Sequence, residues 1–133
     1  MDSLLPLLLL LSITSIAGFI YRAKKGVIKK AKRLKISEKE IGSSYGDRLT
    51  ILQFSTTFCS ECRSAKAMVK SVVADMKGVS YIEIDAESNL DLVRRVDIRS
   101  TPTTIFLDSK GFEIARAKGA PKRDQLVKVI QAF

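Results

Sequence analysis

Cys59-Ser60-Glu61-Cys62 holds the only two cysteines of this 133-residue chain. Two thiols three positions apart can close a disulfide with each other and reopen it by exchange with another dithiol. The pair follows the apolar run Leu49-Thr50-Ile51-Leu52-Gln53-Phe54 and opens a patterned helix, so it stands where a strand becomes a helix. At such a junction unpaired backbone N–H groups and the positive end of the helix dipole favour an anion, which stabilises a thiolate at the first cysteine. One helical turn later Cys62 comes to nearly the same face, in reach of a mixed disulfide formed at Cys59. Cys59 is the candidate nucleophile and Cys62 the resolving thiol. A purely structural bridge is the weaker use, because an i,i+3 disulfide closes a very short loop and restricts the unfolded chain little. Half of a zinc site would need two further ligands, and the chain has neither a histidine nor a third cysteine.

The elements that must position this pair are legible around it. Ala65, Met68, Val69, Val72, Val73 and Met76 recur at helical spacing with polar residues between, which predicts one amphipathic helix laid on a sheet. Gly78 suits the position just past its end. Tyr81-Ile82-Glu83-Ile84-Asp85 reads as a second strand, and Ser88-Asn89-Leu90-Asp91 as a helix start with serine as cap. Leu92, Val93 and Val96 supply a short buried stripe. Ser100-Thr101-Pro102-Thr103 then leads into the apolar run Thr104-Ile105-Phe106-Leu107, and Asp108-Ser109-Lys110-Gly111 turns that strand into a partner over 112–117. Gly119 and Pro121 punctuate the entry to a last helix, with Pro121 in its first turn and Leu126, Val127 and Ile130 on the buried side.

With this element order the chain resembles the thioredoxins, in the form of a membrane-anchored bacterial member. The resemblance covers roughly residues 49–131. It rests on the segment from Phe54 to Cys62 after the first core strand, on Val96-Asp97-Ile98-Arg99-Ser100-Thr101-Pro102-Thr103, and on Gly119 after the closing hairpin. A CxxC alone says little; joined to Thr-Pro-Thr before a strand, it is specific. The resemblance implies a cis peptide bond at Pro102, which would lie against the active disulfide, and a substrate groove in which Thr101 and Pro102 meet an extended segment. Phe58 stands where thioredoxins usually have tryptophan and is the third substrate-binding candidate. A cis bond is chemically reasonable there, because only X-Pro pairs adopt it at low cost.

The departures from the family concern tuning. Ser60-Glu61 replaces the usual Gly-Pro, and Gln53 stands where many thioredoxins carry a buried acid that moves the proton of the resolving thiol. Glutamine exchanges no proton at neutral pH. Glu61 sets a negative charge beside the nascent thiolate and Arg63 a positive one just past Cys62. A destabilised thiolate disfavours the reduced form, which argues for a reductase over a strong oxidant. An equal reading makes Glu61 and Arg63 solvated surface charges without redox effect.

The N-terminus is a different object. Leu4 to Tyr21 carries no charge and is rich in leucine and isoleucine; as a helix rising about 1.5 Å per residue it reaches roughly 27 Å, near the thickness of a bilayer core. A cleaved signal peptide is the rival, but those open on a basic region and this chain opens Met1-Asp2-Ser3, while Ser15-Ile16-Ala17 makes a poor cleavage site. Arg22, Lys24, Lys25, Lys29, Lys30, Lys32, Arg33 and Lys35 crowd the C-terminal flank, against Asp2 on the other. By the positive-inside rule this expects a single pass with the N-terminus outside and the thioredoxin-like domain cytoplasmic, its basic flank lying on anionic lipid. Nucleic acid is rejected as a partner: the net charge of +9 comes mostly from this cluster, and residues 36–133 carry 15 basic against 13 acidic side chains.

Three regions are therefore expected: an anchor over 1–21, a basic segment and polar connector over 22–46, and a trimmed thioredoxin fold of the α/β class over 47–133. The connector contains a short helix start at Ser37-Glu38-Lys39-Glu40. The domain is expected to hold four strands, near 49–55, 80–85, 103–107 and 112–117, in a mixed sheet flanked by helices. The function expected is thiol-disulfide oxidoreductase, reducing protein disulfides through Cys59 and Cys62 with an outside electron donor such as a thioredoxin reductase. Neither a metal nor a bound cofactor is expected, since the two sulfurs carry the electrons. From another class, a non-catalytic binding module that uses the cysteines as a redox switch is the alternative, favoured by Gln53 and the missing tryptophan.

Overall fold

The computed structural model describes residues 4–31 and 33–133. Residues 1–3, with Asp2 of the N-terminal flank, and Lys32 of the basic run lie outside it. Strands β1 (Ile28–Lys30), β2 (Leu49–Ser55), β3 (Val79–Asp85), β4 (Thr103–Asp108) and β5 (Glu113–Lys118) form one sheet in the order β1-β5-β4-β2-β3. Within it β2 and β3 run parallel, and the other neighbouring pairs are antiparallel. Every residue of β2 is buried, as expected of a strand with a neighbour on each edge and helices on both faces.

The period-2 alternation of β2 divides the core. Leu49 and Ile51 join Phe106, Ala115, Val69, Val72, Leu126 and Ile130 on the face covered by α3 (Ser60–Val73) and α5 (Arg123–Gln131). Leu52 and Phe54 join Ile84, Ile105, Leu107, Leu92 and Val96 on the opposite face, under α4 (Leu90–Arg95). Ile36 and Ile41 complete that second cluster, Ile36 being fully buried. Residues 36–46 are thus packed onto the sheet. The expected helix start there is α2 (Glu38–Ile41), where the Glu40 carboxylate accepts both the Ser37 backbone N–H and its hydroxyl at 2.8 Å. Burial pushes the Glu40 carboxyl up, but the Ser37 hydrogen bonds and Arg95 outweigh it and hold the group below its ordinary range.

The sheet has five strands where the sequence reading had four. Ile28-Lys29-Lys30 pairs with Ala117, Arg116 and Ala115 along the free edge of β5. Three residues, two of them lysine, leave no alternating pattern to read; lysine on such an edge also deters pairing with a second chain. Other boundaries shift by a few residues. α3 ends at Val73, and Gly78, with φ +76°, turns the chain into β3 beyond a short loop. Asn89, not Ser88, holds the N-cap position of α4, because the Ser88 hydroxyl turns back to the Asp85 carboxylate at 2.7 Å. Pro121 precedes the N-cap residue Lys122 of α5 and lies outside its first turn.

α1 (Leu4–Lys24) extends from the domain with none of its 21 residues buried. It is long and apolar enough to cross a membrane, a test that signal sequences also pass.

A charge pair with a buried carboxylate and a half-buried guanidinium braces the sheet near its outer edge. Glu113, 2% exposed, accepts Arg116 Nε at 2.6 Å and Nη2 at 3.1 Å, while Arg116 Nη1 donates to the Val96 carbonyl at 2.8 Å. Removing only the cation leaves a buried carboxylate without its partner, a change that costs about 3 kcal/mol or more. Arg116→Met is therefore expected to lower unfolding stability in urea by that amount. Adding Glu113→Leu should recover most of the loss.

Candidate dithiol site

Cys59 is the N-cap residue of α3, with extended backbone angles (φ −97°, ψ 99°) that end β2 and its loop and let the helix begin. Its Sγ accepts the backbone N–H of Cys62 at 3.1 Å. An orphan helix donor thus points at the sulfur that must carry negative charge when the bridge opens. The two cysteines are joined as a disulfide with Cα atoms 5.1 Å apart. Cys59 is half-buried, whereas Cys62 is 3% exposed. An incoming sulfur can reach Cys59 and not Cys62, which is the asymmetry that a nucleophile and a resolving thiol require.

Around the pair, four segments close a ring. Thr56, in the loop before Cys59, shares a hydroxyl contact of 3.4 Å with Thr101. The Thr101–Pro102 peptide bond is cis. Gly119 N–H donates to the Pro102 carbonyl at 2.7 Å, and Ala120 N–H donates to Glu61 Oε1 at 3.3 Å. Glu61, the residue before Cys62, returns the ring to α3. Pro102 is buried, Thr101 half-buried, and Phe58 is 95% exposed beside Cys59. A large apolar ring held in water next to a reactive sulfur gives an extended polypeptide something to cover.

Gln53 lies under the site, fully buried on β2. Its amide nitrogen donates to the Cys62 carbonyl at 2.9 Å and to Ser55 Oγ at 3.0 Å, while its Oε1 finds no partner among the described residues. It therefore fixes the first turn of α3 and supplies no titratable group. Arg63 is exposed on α3, its backbone N–H bonded to the Cys59 carbonyl at 3.3 Å.

Glu61 is engaged in a way the sequence reading missed. Its Oε2 lies 2.7 Å from Lys25 Nζ, the two side chains 38% and 45% exposed. The Lys25 hydrogen bond holds the Glu61 carboxyl below its usual range against a smaller burial effect, aided by Ala120 N–H, and Glu61 in turn raises the Lys25 ammonium. Lys25 sits in a run of basic residues that reads as a topology signal, and nothing in its spacing points to a site 36 positions away. Gly119 makes the approach possible. Its φ of +85° favours glycine, and a Cβ there would lie 2.8 Å from Lys25 Cγ, so a side chain at this position would push the lysine stem aside.

A mixed sheet of this order, with a two-cysteine turn opening a helix beside a cis-proline loop, defines a protein of the dithiol–disulfide class. The thioredoxin family model matches residues 34–132, and the chain belongs to the thioredoxin family. It is 29% identical over 77 residues to the thioredoxin of Pongo abelii, covering 58% of this chain and 73% of that protein. The germline-specific thioredoxin Deadhead of Drosophila melanogaster superposes with a TM-score of 0.58 at 27% identity, over 65% of this chain and 82% of that one. For the thioredoxin of Fasciola hepatica the TM-score is 0.59 at 25% identity, over 71% and 88%. The chain is a thioredoxin-family redox protein with a disulfide-capable CxxC, and thiol–disulfide exchange is the general activity of that family.

The amide at position 53 gives a test of how this site moves protons. Gln53→Glu is nearly isosteric and sets a buried carboxyl, its pKa raised by desolvation, against the first turn of α3. Release of a mixed disulfide from Cys59 is then expected to speed up at least about tenfold as pH rises through that pKa, because the ionised carboxylate takes the Cys62 proton. Stopped-flow measurement against pH checks this, with the wild type lacking the added ionisation.

Proposed function

We propose that this chain is a membrane-anchored thiol–disulfide oxidoreductase that reduces disulfides of other proteins. The observation that carries the reading is the accessible Cys59 at the N-cap of α3 over a buried Cys62. Thiolate Cys59 attacks one sulfur of the substrate disulfide; the Cys59–substrate bond forms, the substrate bridge breaks, and the leaving sulfur takes up a proton. Cys62, losing its proton, attacks Cys59 Sγ, closes the internal bridge and expels the second substrate thiol. The substrate gains two electrons and two protons, and the Cys59–Cys62 dithiol loses them. A dithiol donor outside this chain, of the thioredoxin reductase kind, reopens the bridge. Thr101, Pro102 and exposed Phe58 form the surface on which the substrate segment lies.

Anchoring through α1 and placement of the domain on the cytoplasmic side belong to the same proposal. They are supported by the uninterrupted apolar helix and by the basic residues that follow it, which also suit anionic lipid headgroups.

Insulin-disulfide reduction by the full chain in detergent micelles, with dithiothreitol or a thioredoxin reductase as donor, tests the reading. Cys59→Ser is expected to abolish turnover, and Cys62→Ser to accumulate mixed disulfides with substrates. A chain that binds extended peptides but shows no turnover above the dithiothreitol background would instead be a binding module with a redox switch, the reading that Gln53 favours. Topology is checked separately. A reporter fused after Phe133 should be active only in the cytoplasm, and moving several basic residues from the C-terminal to the N-terminal flank of α1 should invert it.

A further inference from the structure

The Glu61 carboxylate in the ring around Cys59 and Cys62 is met by a residue from outside the segment that the family model matches, Lys25. The chain leaves α1 at Lys24 and is gripped at once: Gly26 N–H donates to the Lys118 carbonyl at 2.7 Å, and Lys122 N–H donates to the Gly26 carbonyl at 3.2 Å. Lys122 Nζ reaches the Ala23 carbonyl at 3.2 Å. Gly26, at φ +76°, has no space for a Cβ against the Ala120 carbonyl, so the strap passes at backbone contact distance. These contacts hold Lys25 over Gly119 and set its ammonium on the one carboxylate inside the CxxC.

We infer that Lys25 is a positioning residue of the dithiol site, whose charge cancels that of Glu61 and so keeps the Cys59 thiolate from being disfavoured. The inference rests on the reading of Cys59–Cys62 as a redox couple. Glu61 belongs to the first turn of α3 and lies between the two cysteines in sequence. An unopposed carboxylate there works against the helix dipole and the Cys62 N–H, both of which favour a thiolate at Cys59. A cation at 2.7 Å from that carboxylate, with Ala120 N–H on its other oxygen, leaves the helix terminus as the main field at the sulfur. Among the described residues Lys25 is the one cation paired with Glu61. Arg63 on α3 and Lys118 at the end of β5 are exposed and make no ion pair with it, Lys122 Nζ is bonded to the Ala23 carbonyl at 3.2 Å, and Arg99 next to the cis-proline loop is paired with Asp97 at 2.7 Å. The dithiol couple of this chain therefore depends on the docked strap, and a domain cut out at the family boundary lacks a part of its own active site.

The full chain is compared with Lys25→Met, Lys25→Arg, Glu61→Gln and the pair Lys25→Met with Glu61→Gln, each in detergent micelles. Two quantities are read: the equilibrium with glutathione, in which two glutathione thiols give two electrons and two protons to the Cys59–Cys62 bridge, and the pH dependence of Cys59 alkylation in the reduced protein. Lys25→Met is expected to raise the Cys59 pKa and to shift the equilibrium about two- to fivefold towards the protein disulfide, the size of a partly exposed ion pair. Lys25→Arg should stay at wild-type values, and Glu61→Gln should erase the effect of Lys25→Met. A strap that merely anchors would change the unfolding midpoint while leaving both quantities where they are, and that result overturns the inference. So does a Lys25→Met shift of equal size with and without Glu61. Insulin turnover enters neither measurement, so a failure of the proposed reductase activity is a separate result.

Discussion

β2 is the constraint on which the rest of this structure depends. It is buried on both faces, bonded to β3 on one edge and to β4 on the other. A strand so enclosed can end only where its pairing ends, at Ser55, and the chain must then turn over the sheet into α3. Cys59 falls on that turn. Its thiolate preference is thus a product of core packing: Leu49, Ile51, Leu52 and Phe54 hold the strand in place, and Val69 and Val72 hold the helix against it. Gln53 links the two levels by tying the buried strand to the Cys62 carbonyl.

The same enclosure explains why the functional surface is assembled from loops at one end of the sheet. The segments at Thr56, Thr101–Pro102 and Gly119–Ala120 all lie beside strand ends, and a hydroxyl contact between Thr56 and Thr101 and a backbone hydrogen bond from Gly119 to Pro102 join them into one rim. Rigid strands fix where the loops start, and the loops carry the chemistry. Buried Glu113 and half-buried Arg116 on β5, with a bond from Arg116 to the Val96 carbonyl, tie the loop before the cis-proline to the outer half of the sheet.

Much of this was readable from residue order, and the reasons for the exceptions are physical. The helices α3 and α5 and the strand β5 announce themselves because each buries one face, so that periodicity survives in the sequence, whereas β2 and β4 are buried almost throughout and are legible as apolar runs. The CxxC and the Thr-Pro pair are legible because the chemistry admits few substitutes at those positions. β1 escaped because three residues on an exposed edge need no pattern. Ser88 misled as a cap because the Asp85 carboxylate, closer in space, takes its hydroxyl. Lys25 was invisible as part of the site: its role follows from the strap at Gly26 and the vacancy of a side chain at Gly119, and in sequence it is one lysine among many.

The grip on Gly26 also bears on how such a protein would meet its partners. A domain hung from its anchor by a free linker tumbles and samples a hemisphere, presenting every face to the bilayer in turn. Here the segment after α1 is hydrogen-bonded to both ends of the loop from Lys118 to Lys122 within two residues of the helix end. With α1 in a bilayer, the dithiol rim would travel at a nearly fixed height and tilt above the lipid. Encounter would then be a problem of lateral diffusion in two dimensions. Partners whose reactive bridge rides at that height would be met often, and those in bulk solution only when they stray to the surface.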